Sequence, residues 1–255
     1  MDGDLTEIFQ ATFASPASTV EERAWREVFG EEYPDGLEPY SYTSRSELSR
    51  IAAALELRPG EVFADIGCGR GGPGLWVAAT TDARVVGVDI ADSALSAAAT
   101  RAERLRLGSV AEYRLGSFDQ LPFDDASIDG AMSIDALLFA PSKRDALVEV
   151  ARAVRSGGHI VMTTWDYHSQ PVGRPPQVAD HRPLLVDAGF DVVAYDDTPL
   201  WRERQERLDA LLLDAVDELA AESGEDPDDV RAWIEEMHAS LATMIRRVLF
   251  VARRR

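Results

Sequence analysis

The sequence predicts an α/β chain: a doubly wound sheet of seven strands, preceded by helices and carrying a helical insertion before its last strand. Three observations carry that expectation. From residue 61 onward, short apolar runs alternate with Ala-rich helical stretches, the pattern of parallel β-α-β units. The first of those runs enters a glycine-rich turn, Gly67-Cys68-Gly69-Arg70-Gly71-Gly72, that opens a helix. Near the C-terminus two amphipathic helices interrupt the alternation before a final apolar run.

The first sixty residues read as helices with start signals. Ser18-Thr19-Val20-Glu21 and Ser44-Arg45-Ser46-Glu47 both fit the capping box, in which Ser and Glu satisfy free amides reciprocally. The second box opens a helix through Ile51, Ala54 and Leu55 that stops at Pro59-Gly60. A loop of aromatics and turn formers, Tyr33 to Thr43, lies between them. Strands are expected at Val62–Ile66, Arg84–Asp89, Ala111–Leu115, Ile128–Ser133, His159–Thr164, Phe190–Asp196 and Val248–Ala252. Helices at Gly74–Thr80, Ser93–Leu107 and Lys143–Val154 separate them. The insertion reads as Trp201–Glu222 and Pro227–Arg247, the latter opened by Asp226-Pro227-Asp228-Asp229, an N-cap, a first-turn proline and acids on the positive dipole end. Leu208, Leu211, Leu212, Val216, Leu219, Trp233, Met237 and Leu241 need a surface to bury against. That surface is either the core or one wall of a ligand pocket.

Composition narrows the functional classes. Asp and Glu outnumber Lys and Arg 45 to 26, a formal charge of −19, which argues against nucleic acid as a partner. No apolar run approaches the ~20 residues of a membrane span. Met1 to Gln10 carries acids in place of a basic, then apolar, leader. The lone cysteine, Cys68, excludes an intramolecular disulfide and suits a reducing, cytoplasmic compartment. No Cys or His pair has ligand spacing, and Asp124-Asp125, Asp196-Asp197 and Asp228-Asp229 read as turns and caps, so no metal is expected.

The glycine turn alone is generic, since Gly67, Gly69 and Gly72 also satisfy G-x-G-x-x-G. Asp65 makes the difference. Two residues before the first glycine, a carboxylate repels a pyrophosphate and attracts the α-ammonium of a methionine moiety. Asp89 ends an apolar strand about 20 residues on, where an acid accepts from ribose hydroxyls. It suits either kind of nucleotide.

Taken together, Asp65 to Gly72, Gly116 to Phe123, Ser127-Ile128-Asp129 and Glu149 to Gly158 resemble, in order, the class I S-adenosylmethionine-dependent methyltransferases of the small-molecule, natural-product-tailoring branch. The resemblance implies a Rossmann-like, mostly parallel seven-stranded sheet with its last strand antiparallel. It implies one methyltransferase domain over 1–255: a helical cap (1–58), a cofactor-binding core (59–198), a helical lid (199–247) and the last strand with its tail (248–255). S-adenosylmethionine would be held by Asp65, Gly67, Cys68, Gly69 and Gly71 at its methionine end and by Asp89 and Ile90 at the ribose. Ser117, Phe118 and Asp119 would flank the adenine, with Ser133 completing the set. Many relatives carry an acid where Ser117 stands; Ser117 accepts more weakly, or Asp119 substitutes.

The carboxyl ends of the fourth and fifth strands, Ser133 to Leu137 and Thr164 to His168, are where an acceptor would meet the methyl donor. His168 is the first candidate for general base, with Asp135 and Asp166 orienting it or acting in its place. Tyr40, Tyr42, Trp165, Tyr167 and Trp201 are candidate lining residues. The expected reaction is methyl transfer to a small molecule, at oxygen on family frequency. The alternatives are cyclisation or rearrangement with the same cofactor, a nicotinamide-dependent oxidation, and a non-catalytic partner subunit.

Overall fold

A computed structural model describes residues 5–38 and 41–255; Tyr40 lies outside them. Strands β1 (Val62–Ile66), β2 (Arg84–Asp89), β3 (Ala111–Leu115), β4 (Ile128–Ile134), β5 (Val154–Tyr167), β6 (Phe190–Asp197) and β7 (Met244–Arg254) form one sheet in the order β3-β2-β1-β4-β5-β7-β6. β1 to β5 pair in parallel, and β7 runs antiparallel between β5 and β6. The strand order reverses between β1 and β4, which opens a crevice beyond their carboxyl ends.

The strands are apolar on both faces because both are covered. Phe63, Val85, Met132 and Val161 pack with helices α3 (Arg45–Ala54), α4 (Gly72–Thr81) and α5 (Asp92–Arg104). Ala64, Val88, Ala131 and Ile160 face the other way, toward α6 (Lys143–Ala153) and α7 (Arg182–Asp187). A separate apolar cluster joins α2 (Thr19–Phe29) to the insertion through Val20, Ala24, Leu208, Leu212, Val216 and Ile234. α1 (Leu5–Ala14) leans on α5 through Phe13, Ala91 and Ala94. Among the described residues no helix is long and apolar enough to cross a membrane.

Besides adding α7 and lengthening β5 from the expected His159–Thr164, the structure departs from the sequence reading in three places. The first insertion helix is two, α8 (Trp201–Asp214) and α9 (Val216–Ser223), broken at Ala215. The second, α10 (Pro227–Ser240), ends seven residues early, and Arg246 and Arg247 belong to β7. Paired opposite Asp166 and Trp165 of β5, they send side chains to opposite faces of the sheet. Arg246 reaches Asp166 and Asp197, and Arg247 reaches Asp135 and Glu47. Those ion pairs outweigh the helical propensity of Met-Ile-Arg-Arg. Third, Ser44 caps α3 as predicted, accepting from the Glu47 amide at 3.2 Å, but the Glu47 carboxylate is bound by Arg247 and the reciprocal half of the capping box is given up.

Among the described residues, Arg247 is one of the largest fully buried side chains. Its guanidinium donates to Asp135 Oδ1 and Oδ2 at 2.9 and 3.1 Å and to Glu47 at 2.9 to 3.1 Å. Burial disfavours its charge, but Asp135 and Glu47 outweigh that and hold it above its ordinary pKa. Removing one member of such a group strands the others in a dry interior. Arg247→Met is expected to cost about 3–5 kcal/mol in urea unfolding; a loss below about 1 kcal/mol contradicts that role.

Candidate functional site

A cavity of about 340 Å³ occupies the crevice between β1 and β4. Its floor is the turn after β1. The amides of Gly67 and Cys68 donate to the Val88 carbonyl at 2.8 and 3.1 Å, which folds the turn across the end of β2. Gly67 has φ +72°, and a Cβ there would meet that of Ala136 at 2.3 Å; only glycine suits both constraints.

Asp65 stands at the cavity wall and is almost wholly buried. A Cβ on Gly74 would sit 2.5 Å from its carboxylate, so the helix approaches it closely. Among the described residues no cation pairs with Asp65. Burial, with Asp89 beside it, pushes its carboxyl up to about 7 against the pull of the Gly74 amide. An unpaired buried carboxylate bordering a cavity is a site awaiting a cation, and the ammonium of an amino acid fits it. Asp89 also lines the cavity, its oxygens accepting from the Gly69 and Ala91 amides at 2.9 and 3.1 Å. Burial raises its pKa too, against those amides.

Of the other candidate cofactor residues, Cys68, Gly69, Gly71, Ile90, Ser117, Phe118 and Asp119 all line this cavity. Cys68 is buried and its thiol is pushed up, chiefly by burial. The Ser117 hydroxyl donates to Asp119 at 2.6 Å, so the two form one polar unit. Ser133 is the exception. Fully buried, it donates to the Ile66 carbonyl at 2.8 Å, joining β4 to the end of β1 instead of facing the cavity.

The catalytic candidates fare differently. His168 is exposed, with Nε2 2.7 Å from the Ala242 carbonyl, and does not reach the cavity. Asp166 is fully buried on the far side of β5, where it accepts from Tyr195 at 2.7 Å and Arg246 at 2.8 Å and meets His181 Nδ1 at 2.9 Å. Asp135 does line the cavity, but it accepts from Arg247, Thr163 and the Tyr42 amide, an engagement that leaves it poorly placed as a base. Trp165 and Tyr167 are core; Tyr42 and Trp201 border a second cavity.

The sequence reading missed the aromatic wall. Phe9 and Phe13, one helical turn apart on α1, stack at 6.1 Å, and Phe9 meets Phe139 edge-on at 4.9 Å. All three line the cavity. The i, i+4 spacing of Phe9 and Phe13 was the available signal. Nothing local to Phe139 distinguishes it from a core residue.

Because the folded-state pKa of Asp65 lies above its ordinary value, the folded chain holds an extra proton between about pH 4 and 7, and its stability falls as pH rises through that window. Asp65→Asn is expected to stabilise the ligand-free protein in urea, with a gain that grows from pH 5 to pH 8. A gain equal at both pH values contradicts an unpaired, buried Asp65.

Residues 64–162 match the family model described as a methyltransferase domain. The 24-methylenesterol C-methyltransferase 2 of Oryza sativa subsp. japonica is 34% identical over 159 residues, 62% of this chain and 43% of that protein; this chain thus spans less than half of that relative. The 27-O-demethylrifamycin SV methyltransferase of Amycolatopsis mediterranei (strain S699) is 25% identical over 193 residues, 68% of this chain and 71% of that one. Among solved structures, the 4+2 cyclase SpnF superposes with a TM-score of 0.72 at 19% identity, covering 94% of this chain and 98% of its own. The strand order, the glycine turn and this match agree: residues 64–162 are similar to a methyltransferase domain set in a Rossmann-like sheet.

Proposed function

We propose that this protein binds S-adenosylmethionine between Asp65 and Asp89 and transfers its methyl group to an apolar small molecule. The observation that carries the reading is the buried, cation-free carboxylate of Asp65 at the rim of the glycine turn. Asp65 would hold the ammonium, the Gly67–Gly71 turn the carboxylate end, Asp89 the ribose hydroxyls, and Phe118 with the Ser117–Asp119 unit the adenine. When bound, the cofactor supplies a methyl group on a sulfonium. The chain's part is to align the acceptor and exclude water. The wall of Phe9, Phe13 and Phe139 suits that part, since rings bury a large apolar area with defined geometry.

Family frequency and the rifamycin relative favour oxygen as the accepting atom. A second reading, carbon, draws on the aromatic wall, because ring faces stabilise the cation formed when a double bond accepts a methyl group; the sterol relative's name points the same way. Trideuteromethyl cofactor, offered with apolar alcohols and with alkenes, separates the two. The expected result is one CD3 group per acceptor with equimolar S-adenosylhomocysteine, on oxygen in the first reading and on carbon in the second. Acceptor conversion without release of S-adenosylhomocysteine would replace methyl transfer with cyclisation or rearrangement.

A further inference from the structure

A second cavity, of about 330 Å³, lies behind the first. Asp135 and Ser41 line the cofactor cavity, whereas Arg247, Glu47 and Tyr42 line the second. The wall between them is therefore one buried ion pair and one stretch of chain. Around the second cavity stand three guanidiniums, of Arg50, Arg204 and Arg247, and two carboxylates, of Glu32 and Glu47, a positive balance inside a chain of formal charge −19.

Most of these charges are engaged. Arg247 and Glu47 hold each other, Arg50 pairs with Asp196, and Glu32 accepts from the Ser46 amide at 2.9 Å. Arg204 differs. Its guanidinium lies over the Phe29 ring at 4.5 Å, and among the described residues no carboxylate or carbonyl accepts from it. Its pKa is lowered, first by burial, with Arg247 adding to the effect against Glu32 and Glu47. A partly buried planar fork of five donors, stacked on a ring and lacking an acceptor, matches the geometry of a carboxylate. Trp201, Pro199 and Leu249 supply apolar area beside it.

We infer that the second cavity is a binding site for a small aromatic or aliphatic carboxylate, held by Arg204 and distinct from the cofactor site. The inference does not depend on methyl transfer. Phe29 packs against the guanidinium, whose donors, without an acceptor among the described residues, can make two parallel hydrogen bonds to a carboxylate. Glu32 and Glu47, already occupied, offer it no competing salt bridge at contact distance.

Calorimetric titration of the protein with benzoate, and in parallel with neutral, nearly isosteric benzamide, tests this. Benzoate is expected to bind and benzamide to bind at least about tenfold more weakly. Arg204→Met is expected to lose benzoate affinity by about the same factor. Ser46→Asp, which places a competing carboxylate at the exposed rim and suits the first turn of α3, provides the second variant; it should weaken benzoate while its melting temperature holds. Absence of benzoate binding to the wild-type protein, equal binding of benzamide, or unchanged affinity in Ser46→Asp overturns the proposal.

Discussion

Arg247 is the constraint on which the arrangement of the carboxyl edge depends. It sits in the last strand, yet its partners come from the start of α3 and from the residue after β4. One guanidinium thus fastens the N-terminal helices, the central sheet and the antiparallel strand at a single buried point. Asp135, held there with φ +54°, also receives the Tyr42 amide at 2.9 Å and so draws the loop before α3 against the sheet. A left-handed non-glycine residue is costly unless its surroundings fix it, and here two donors, the Tyr42 amide and the Thr163 hydroxyl, and the Arg247 ion pair do so. The ion pair is also the wall between two cavities, so the residues that hold the sheet edge together also divide the binding space.

Charge is used in opposite ways on the two sides of that wall. Asp65 and Asp89 are acids close enough to raise the pKa of Asp65, with backbone amides as their only partners in the described chain. That is a cost to the ligand-free fold and a source of affinity for a cationic ligand, since the cation removes the penalty on binding. Arg247, by contrast, is saturated with acceptors. The two acids are left without a cation and Arg247 is tied into the fold, although from sequence all three are charged residues in apolar surroundings.

The sheet was legible because its strands carry local signals: the short apolar runs that begin at Val62, Val85 and Ile128 alternate with Ala-rich helical stretches. That most of the candidate cofactor residues would share one cavity was legible for the same reason, since they lie within one turn and at strand ends. Residues whose role depends on distant partners were not. Arg247 continues a helical pattern and becomes strand only because Asp135 and Glu47, far away in sequence, receive it. His168 follows β5 at the position where an acceptor-facing base would stand, but its backbone amide donates to Thr243 at 3.0 Å and its ring turns to Ala242. Ser133 is fully buried within β4, and its hydroxyl is taken by the Ile66 carbonyl of the neighbouring strand, a partner remote in sequence. Phe139 joins the site only because α1 brings Phe9 onto it.

The most direct test is calorimetric titration with S-adenosylmethionine and S-adenosylhomocysteine, with NAD and NADP as controls, on the wild-type protein and on Asp65→Ala. Binding of both sulfur compounds, its collapse in Asp65→Ala and no dinucleotide binding are the expected results. No binding of either sulfur compound, or tighter binding of a dinucleotide, would contradict the assignment of the glycine turn and its buried aspartate to S-adenosylmethionine.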